Sequence, residues 1–204
     1  KRNKASYGGG MHNEGGSPTL AQTVFDSNRS ERAGGGMFEQ WGSSTLVNVL
    51  FSGNVVEAPT STDAYGGGMA TGGSPVLTRV TFSSNAAIGA YAYGGGMSNY
   101  GGTPTLTGVT FQANRAVGSP YGFGGGMYTI GGATLNNVTF EGNTAKYGGG
   151  GCTASGTSYG DPTLIDVVFK DNRADGFFST FGGGLMLSSD FSPVLANVVF
   201  MANE

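Results

Sequence analysis

The apolar positions of this chain recur with one spacing. A Leu precedes a Phe by five residues seven times: Leu20/Phe25, Leu46/Phe51, Leu77/Phe82, Leu106/Phe111, Leu135/Phe140, Leu164/Phe169 and Leu195/Phe200. Two residues before the Phe stands Val49, Val80, Val109, Val138, Val167 or Val198, with Thr23 in the first unit. Alternation of period two places Val and Phe on one side of a strand and the residue between them on the other. An Asn follows each Phe by three, as Asn28, Asn54, Asn85, Asn114, Asn143, Asn172 and Asn203. Three consecutive glycines precede each set, starting at Gly8, Gly34, Gly66, Gly94, Gly124, Gly148 and Gly182.

The pattern amounts to seven units of roughly 29 residues. The Leu–Phe and Phe–Asn intervals never change. From Asn to the next triglycine the count runs from 4 to 11, and from the residue after the triglycine to the Leu it runs from 7 to 12. Constant intervals mark segments held in register with their copies, and variable ones mark surface loops. Three short strands are expected in each unit: one around Gly-Gly-Gly-Met, one ending in Leu, and one at Val-x-Phe. A small or polar corner residue (Asn48, Gly108, Asn137, Asp166, Asn197) divides the last two. Stacked in register, such units form a parallel β-helix. The expectation is an all-β, right-handed solenoid of about seven coils, one domain over residues 1–204, its hand following the usual bias of parallel crossovers. The Phe column then faces inward, with glycine opposite it so that large packs against small. The Asn column forms a second inward ladder of stacked amides. An inward Asn28 leaves the sequon Asn28-Arg29-Ser30 out of reach of glycosylation.

Composition narrows the partners. Glycine is abundant, at 40 of 204 residues, without the Gly-X-Y period of collagen. Apolar residues make up 38% and aromatics 11%, too many for a disordered glycine-rich linker. Charged residues are 11% and the net charge is -3, so there is no Lys/Arg stripe to neutralise phosphates and nucleic acid is not an expected partner. No apolar run reaches the roughly 18 residues of a membrane-spanning helix. Cys152 is the one cysteine, which rules out an internal disulfide. No signal peptide is apparent at Lys1-Arg2-Asn3-Lys4.

The segments "GGGM…FSSN", "GGGM…FQAN" and "GGGM…FEGN" resemble the paired GGA[IL]…FxxN repeats of the chlamydial polymorphic outer membrane proteins. The likeness extends over all seven units, and FxxN is intact in each. The first half departs: its third position is Gly, and Met follows it in five units, with Gly151 and Leu185 in the others. The resemblance implies a right-handed β-helix and a secreted passenger at a bacterial surface, serving adhesion or acting as a scaffold.

Candidate chemistry is sparse. The densest acids, Asp161, Asp166, Asp171 and Asp175, read as turn residues rather than a catalytic or Ca²⁺ group. No Asp follows the triglycines as a calcium nonapeptide would require, and no Lys follows them as a phosphate loop would require. His12, read as loop-facing, and Cys152, read as a small packed thiol, lie five units apart. An aromatic precedes six triglycines (Tyr7, Tyr65, Tyr93, Phe123, Tyr147, Phe181), with Ala33 the exception; it covers the glycines or meets a ligand. Trp41 and Tyr100 fall in turn loops. The outward position between Val and Phe carries Thr in only three units, a broken array for ice binding. The two longest variable stretches, Val55–Tyr65 and Cys152–Thr163, are the expected carriers of any recognition.

The expected function is that of a non-enzymatic structural repeat protein, extracellular or on the bacterial surface, as an adhesin-like stalk, scaffold or filament. The alternative is a carbohydrate-binding or polysaccharide-cleaving β-helix. No cofactor, metal or catalytic residue is expected. Expected partners are more coils of the same chain or identical subunits stacked end to end, with surface glycans or host or neighbour-cell receptors beside them. The end-to-end expectation comes from the first and last units, which are as regular as the middle ones and carry no distinct cap.

Overall fold

A computed structural model describes residues 3–154, 160–176, 180–188 and 191–204. These contain strands and turns, with no helix among the described residues, and every strand pairing is parallel. Three sheets run the length of a β-solenoid. In the coil that contains the opening of the fourth unit, sheet 1 contributes Ala86–Tyr93, sheet 2 contributes Met97–Asn99, and sheet 3 contributes Thr105–Thr107 and Thr110–Gln112. Sheet 2 holds seven strands in chain order, from Met11–Asn13 to Leu185–Leu187, with Met37, Met69 and Met97 in register. In sheet 3, Leu77 pairs with Leu106 and Phe82 with Phe111, and so on along the stack.

The structure corrects three strand assignments. The triglycine is a corner, not a strand: its first glycine has φ between +59° and +67° in all seven units, and the strand starts at the Met position. Such left-handed values favour glycine. Second, the Leu and Val-x-Phe segments lie in one sheet, hinged at the corner residue. That hinge is left-handed in every unit, at Gln22, Asn48, Arg79, Gly108, Asn137, Asp166 and Asn197. Gln22 and Arg79 hold this costly conformation because their N–H groups donate to the next coil, at Val47 O and Thr107 O. Third, the stretch after each Asn from Asn28 to Asn172 joins sheet 1 instead of forming a free loop. It is one continuous strand in three coils (Arg29–Ala33, Ala86–Tyr93 and Arg115–Phe123) and paired segments at its two ends in the others. Its first residue is always in register (Arg29, Val55, Ala86, Arg115, Thr144, Arg173), and so is the residue before the triglycine. Differences in length are taken up in between, by irregularities such as that between Gly89 and Tyr91. A further left-handed residue stands before each Asn, so each coil turns on three such corners.

The core is one continuous column set: Leu46 to Leu164, Val49 to Val167, Phe25 to Phe169 and Met37 to Met127, all buried. The Met column is interrupted by Gly151, beside a cavity of about 20 Å³ lined in part by Met127, Phe169 and Leu185. A Cβ at Gly151 would meet only Leu185 Cδ1 at 3.4 Å, Phe169 Cε1 at 3.7 Å and Met127 O at 3.9 Å, ordinary contacts. Gly151→Ala is therefore expected to stabilise the protein by about 0.4–1 kcal/mol, as a compatible Gly→Ala change does. Thermal unfolding followed by circular dichroism checks this; a lowered midpoint would contradict it.

Candidate functional site

The two ladders are built by the constant spacing. Phe25, Phe51, Phe82, Phe111, Phe140 and Phe169 are buried, with neighbouring rings 4.7–4.9 Å apart and within 5° of parallel. Phe200 continues the stack at 5.0 Å but is 52% exposed, because no further ring covers its outer face among the described residues. Its place in the ladder is that of an end rung, not a buried one.

The Asn ladder is directional. The Oδ1 of Asn114 accepts from the backbone N–H and the side-chain amide of Asn85, both at 3.0 Å. Asn114 Nδ2 donates to Asn143 Oδ1 at 3.0 Å and to Phe82 O at 2.9 Å. The same links join Asn28, Asn54, Asn85, Asn114, Asn143, Asn172 and Asn203, with Asn203 only partly buried. Asn28 is buried. Asn3 adds a rung that the sequence reading missed, donating from Nδ2 to Asn28 Oδ1 at 3.0 Å. A usable signal existed: four residues ending in Tyr separate Asn3 from its triglycine, the same frame as Asn143 to Gly148.

On the outside, the aromatics before the triglycines form a third ladder. Tyr65–Tyr93 are stacked at 4.9 Å, Tyr93–Phe123 at 5.5 Å, Phe123–Tyr147 at 5.1 Å and Tyr147–Phe181 at 5.7 Å. Tyr128, from sheet 2, packs on Tyr93 at 4.8 Å. Within this ladder the π-faces are occupied by one another, so the column shows solvent mainly edges and hydroxyls. Burial raises the pKa of Tyr65, Tyr93 and Tyr128, so these hydroxyls stay protonated donors. Tyr100 is not a free loop contact: it packs with Phe38 and Tyr65, and burial first, then the Glu39 charge, pushes its phenol up to about 12. Trp41 remains exposed.

A buried carboxylate also escaped the sequence reading. Glu39 ends its sheet 2 strand fully buried, where the adjacent coils carry Asn13 and Thr71. Its oxygens accept from Asn13 Nδ2 at 3.1 Å, Ser44 N–H at 2.9 Å, Ser44 Oγ at 3.2 Å and Thr71 Oγ1 at 3.0 Å. Neutral donors from the two adjacent coils and from a turn of its own coil satisfy both carboxyl oxygens. A single Glu at one unit leaves no periodic trace, so nothing in the spacing marks it.

The remaining candidates do not converge. His12 sits in a sheet 2 strand rather than a loop, its ring 5.1 Å from Phe38 and 6.4 Å from Tyr7. Cys152 is buried, and desolvation pushes its thiol up to about 12, leaving it protonated and unreactive at neutral pH. Asp161 accepts from Ser192 N–H at 2.9 Å, Asp166 from Asn197 Nδ2, Asp171 lies 3.5 Å from Lys170, and Asp175 lies 3.4 Å from Arg173. Each acid is engaged locally, and no group of three His, Cys, Asp or Glu side chains with metal-binding geometry occurs among the described residues. Of the two variable stretches, Val55–Tyr65 has strand at both ends around an excursion at residues 58–63, while residues 155–159 of Cys152–Thr163 lie outside the described residues.

Residues 137–155 match the family model of the Chlamydia polymorphic membrane protein repeat. The matched segment runs from the left-handed Asn137 through Phe140, Gly142 and Asn143 to the triglycine at Gly148, so it contains one rung of each inner ladder and the corner opposite. No curated protein and no solved structure matches the chain. By motif and by fold, the chain is a parallel β-helix repeat protein resembling the chlamydial polymorphic membrane protein repeats.

Proposed function

We propose that this protein is a non-enzymatic scaffold of a bacterial cell surface, a stiff stalk or filament segment whose coils separate or display other parts. The observation that carries this reading is the unbroken axial bonding from Asn3 to Asn203 and from Phe25 to Phe200: every coil commits its inward side chains to its neighbours above and below. The match to a repeat of chlamydial membrane proteins supports the surface location. The locally engaged acids, protonated Cys152 and aromatic-packed His12 support the non-enzymatic part.

The partner at the end of the stack is another coil, from the same chain or from an identical subunit. Leu195 and Phe200 are 47% and 52% exposed, whereas their counterparts Leu106 and Phe111 are fully buried. A coil set on that face would cover both and pair the open strand edges. Sedimentation velocity of the 204-residue chain is expected to show concentration-dependent end-to-end association, and Phe200→Lys to abolish it. A wild-type chain that stays monomeric at high concentration, or association unchanged by Phe200→Lys, would refute the stacking.

A further inference from the structure

The outer aromatic ladder has one missing rung. Tyr7, Ala33, Tyr65 and Tyr93 occupy one register position in successive coils. One face of Tyr65 is covered by Tyr93 at 4.9 Å. On its other side the position is held by the methyl group of Ala33. Tyr7 lies one coil further, two rungs from Tyr65, or about 10 Å at the spacing of paired strands. That is twice the stacking distance seen along the ladder. Phe38 packs on buried Ala33 and lies 5.1 Å from Tyr7, while Tyr100 meets Tyr65 edge-on at 6.4 Å. Outside the buried pair of Ala33 and Phe38 a cavity of about 310 Å³ opens to solvent, lined by Tyr7, Arg32, Ser61, Thr62, Asp63 and Tyr65, with Ala33 and Phe38 beneath its lining and not part of it.

Its rim is polar. Arg32 is exposed and enters none of the ion pairs formed among the described residues. Asp63 uses Oδ2 to accept from the Tyr65 hydroxyl at 3.1 Å, which fixes the carboxylate at the mouth with its other oxygen available. Ser61 is exposed beside them. The polar side comes from the excursion at residues 58–63, the longest insertion between an Asn and its triglycine.

We propose that this slot binds the pyranose ring of a neutral sugar. A pyranose has apolar C–H faces and a rim of hydroxyls, which matches a cavity lined by two tyrosines, Tyr7 and Tyr65, together with Arg32, Asp63 and Ser61. A flat aromatic group would stack equally well but would leave those rim groups without partners, at a cost. An added β-strand has no edge to join here, since Arg29–Ala33 is already paired on both sides. The site is independent of the scaffold reading: a stalk with or without enzymatic activity could carry it.

The test is a proton–nitrogen correlation NMR titration of the 204-residue chain with methyl β-glucopyranoside, methyl β-galactopyranoside and, as the aromatic probe, N-acetyltyrosinamide. Saturable shifts with at least one glycoside, centred on Arg32 and residues 61–65, are expected. Ala33→Phe fills the vacancy with the rung other coils already carry; the pairing of Phe123 with Tyr128 shows that two large rings fit at this corner. It should weaken glycoside binding at least about tenfold, roughly 1.4 kcal/mol. Asp63→Asn, which keeps an acceptor oxygen for the Tyr65 hydroxyl and removes the carboxylate, should also weaken it and serves if Ala33→Phe misfolds. No saturation by either glycoside, binding by the aromatic probe alone, or glycoside binding unaltered in the folded variants would each overturn the proposal.

Discussion

Gly95→Ala is expected to cost about 4 kcal/mol or more, enough to abolish cooperative folding of a marginally stable chain. The second glycine of each triglycine is where two coils come closest. A Cβ at Gly95 would lie 2.4 Å from the backbone C and N of Arg115 and 2.4 Å from Gly125 O. These are main-chain atoms of the next coil and cannot rotate away. Relief would require the rungs to part, breaking the bonds from Gly95 N–H to Gly124 O at 3.1 Å and from Gly94 N–H to Phe123 O at 2.9 Å. The equivalent glycines, Gly35, Gly67, Gly125 and Gly149, meet the same obstacle. Gly142→Ala is the built-in control. Gly142 also has a left-handed φ of +62°, but a Cβ there would meet nothing within 4 Å, and Ala113 already holds that corner one coil earlier. Its cost should stay near the about 1–2 kcal/mol of left-handed strain alone. Urea unfolding of both variants separates steric exclusion from backbone preference. A Gly95→Ala protein as stable as Gly142→Ala would show that the coils yield readily and that the corner tolerates a side chain.

The triglycine shows how far the sequence could be read. Its third residue, Gly96, lies where a Cβ would meet Gly126 O of the next coil at 2.6 Å and, beyond that backbone atom, Phe111 Cδ1 at 3.0 Å and Asn114 Cγ at 3.2 Å. That is the large-against-small packing its place opposite the Phe column suggests. The first residue follows from the φ a tight corner needs. The second depends on backbone of the next coil, which no local pattern reveals. The same limit explains sheet 1. Its strands vary in length, and variable length reads as loop, yet only the two ends of each strand must stay in register when a bulge absorbs the remainder. Constant spacing exposed the Leu, Val, Phe and Asn columns, and so it exposed both inner ladders apart from the Asn3 rung. Glu39 and the Ala33 vacancy are single departures from the repeat. Ala33 was visible as the one coil without an aromatic, with Arg32 beside it in the sequence, but Phe38 packs on it and Asp63 comes to Arg32 only through the turning of the coils.

Asn114→Ala should destabilise by about 3–6 kcal/mol, because one side chain completes the hydrogen bonding of several buried groups. Its removal takes the acceptor from the Asn85 backbone N–H and from Asn85 Nδ2, and the donor from Phe82 O. Each buried group left unpaired costs about 1–3 kcal/mol. Asn143 keeps one of its two incoming bonds, since the Asn114 backbone N–H still donates to it at 2.9 Å. Water cannot easily compensate, because Asn85, Asn114 and Asn143 are all fully buried. The damage should also be lopsided. Asn85, on the donor side, loses its only ladder acceptor, whereas Asn143 and the coils beyond it retain theirs. Amide exchange should therefore accelerate at Asn85 more than at Asn143. Asn203→Ala provides the comparison: it breaks the same kinds of bond, to Asn172 and Phe169, but at a partly buried end where solvent can substitute. If the ladder holds the solenoid by satisfying buried groups, the inner substitution must cost clearly more than the outer one. Equal losses at both positions, or symmetric exchange around Asn114, would mean that the amides follow the stack rather than hold it.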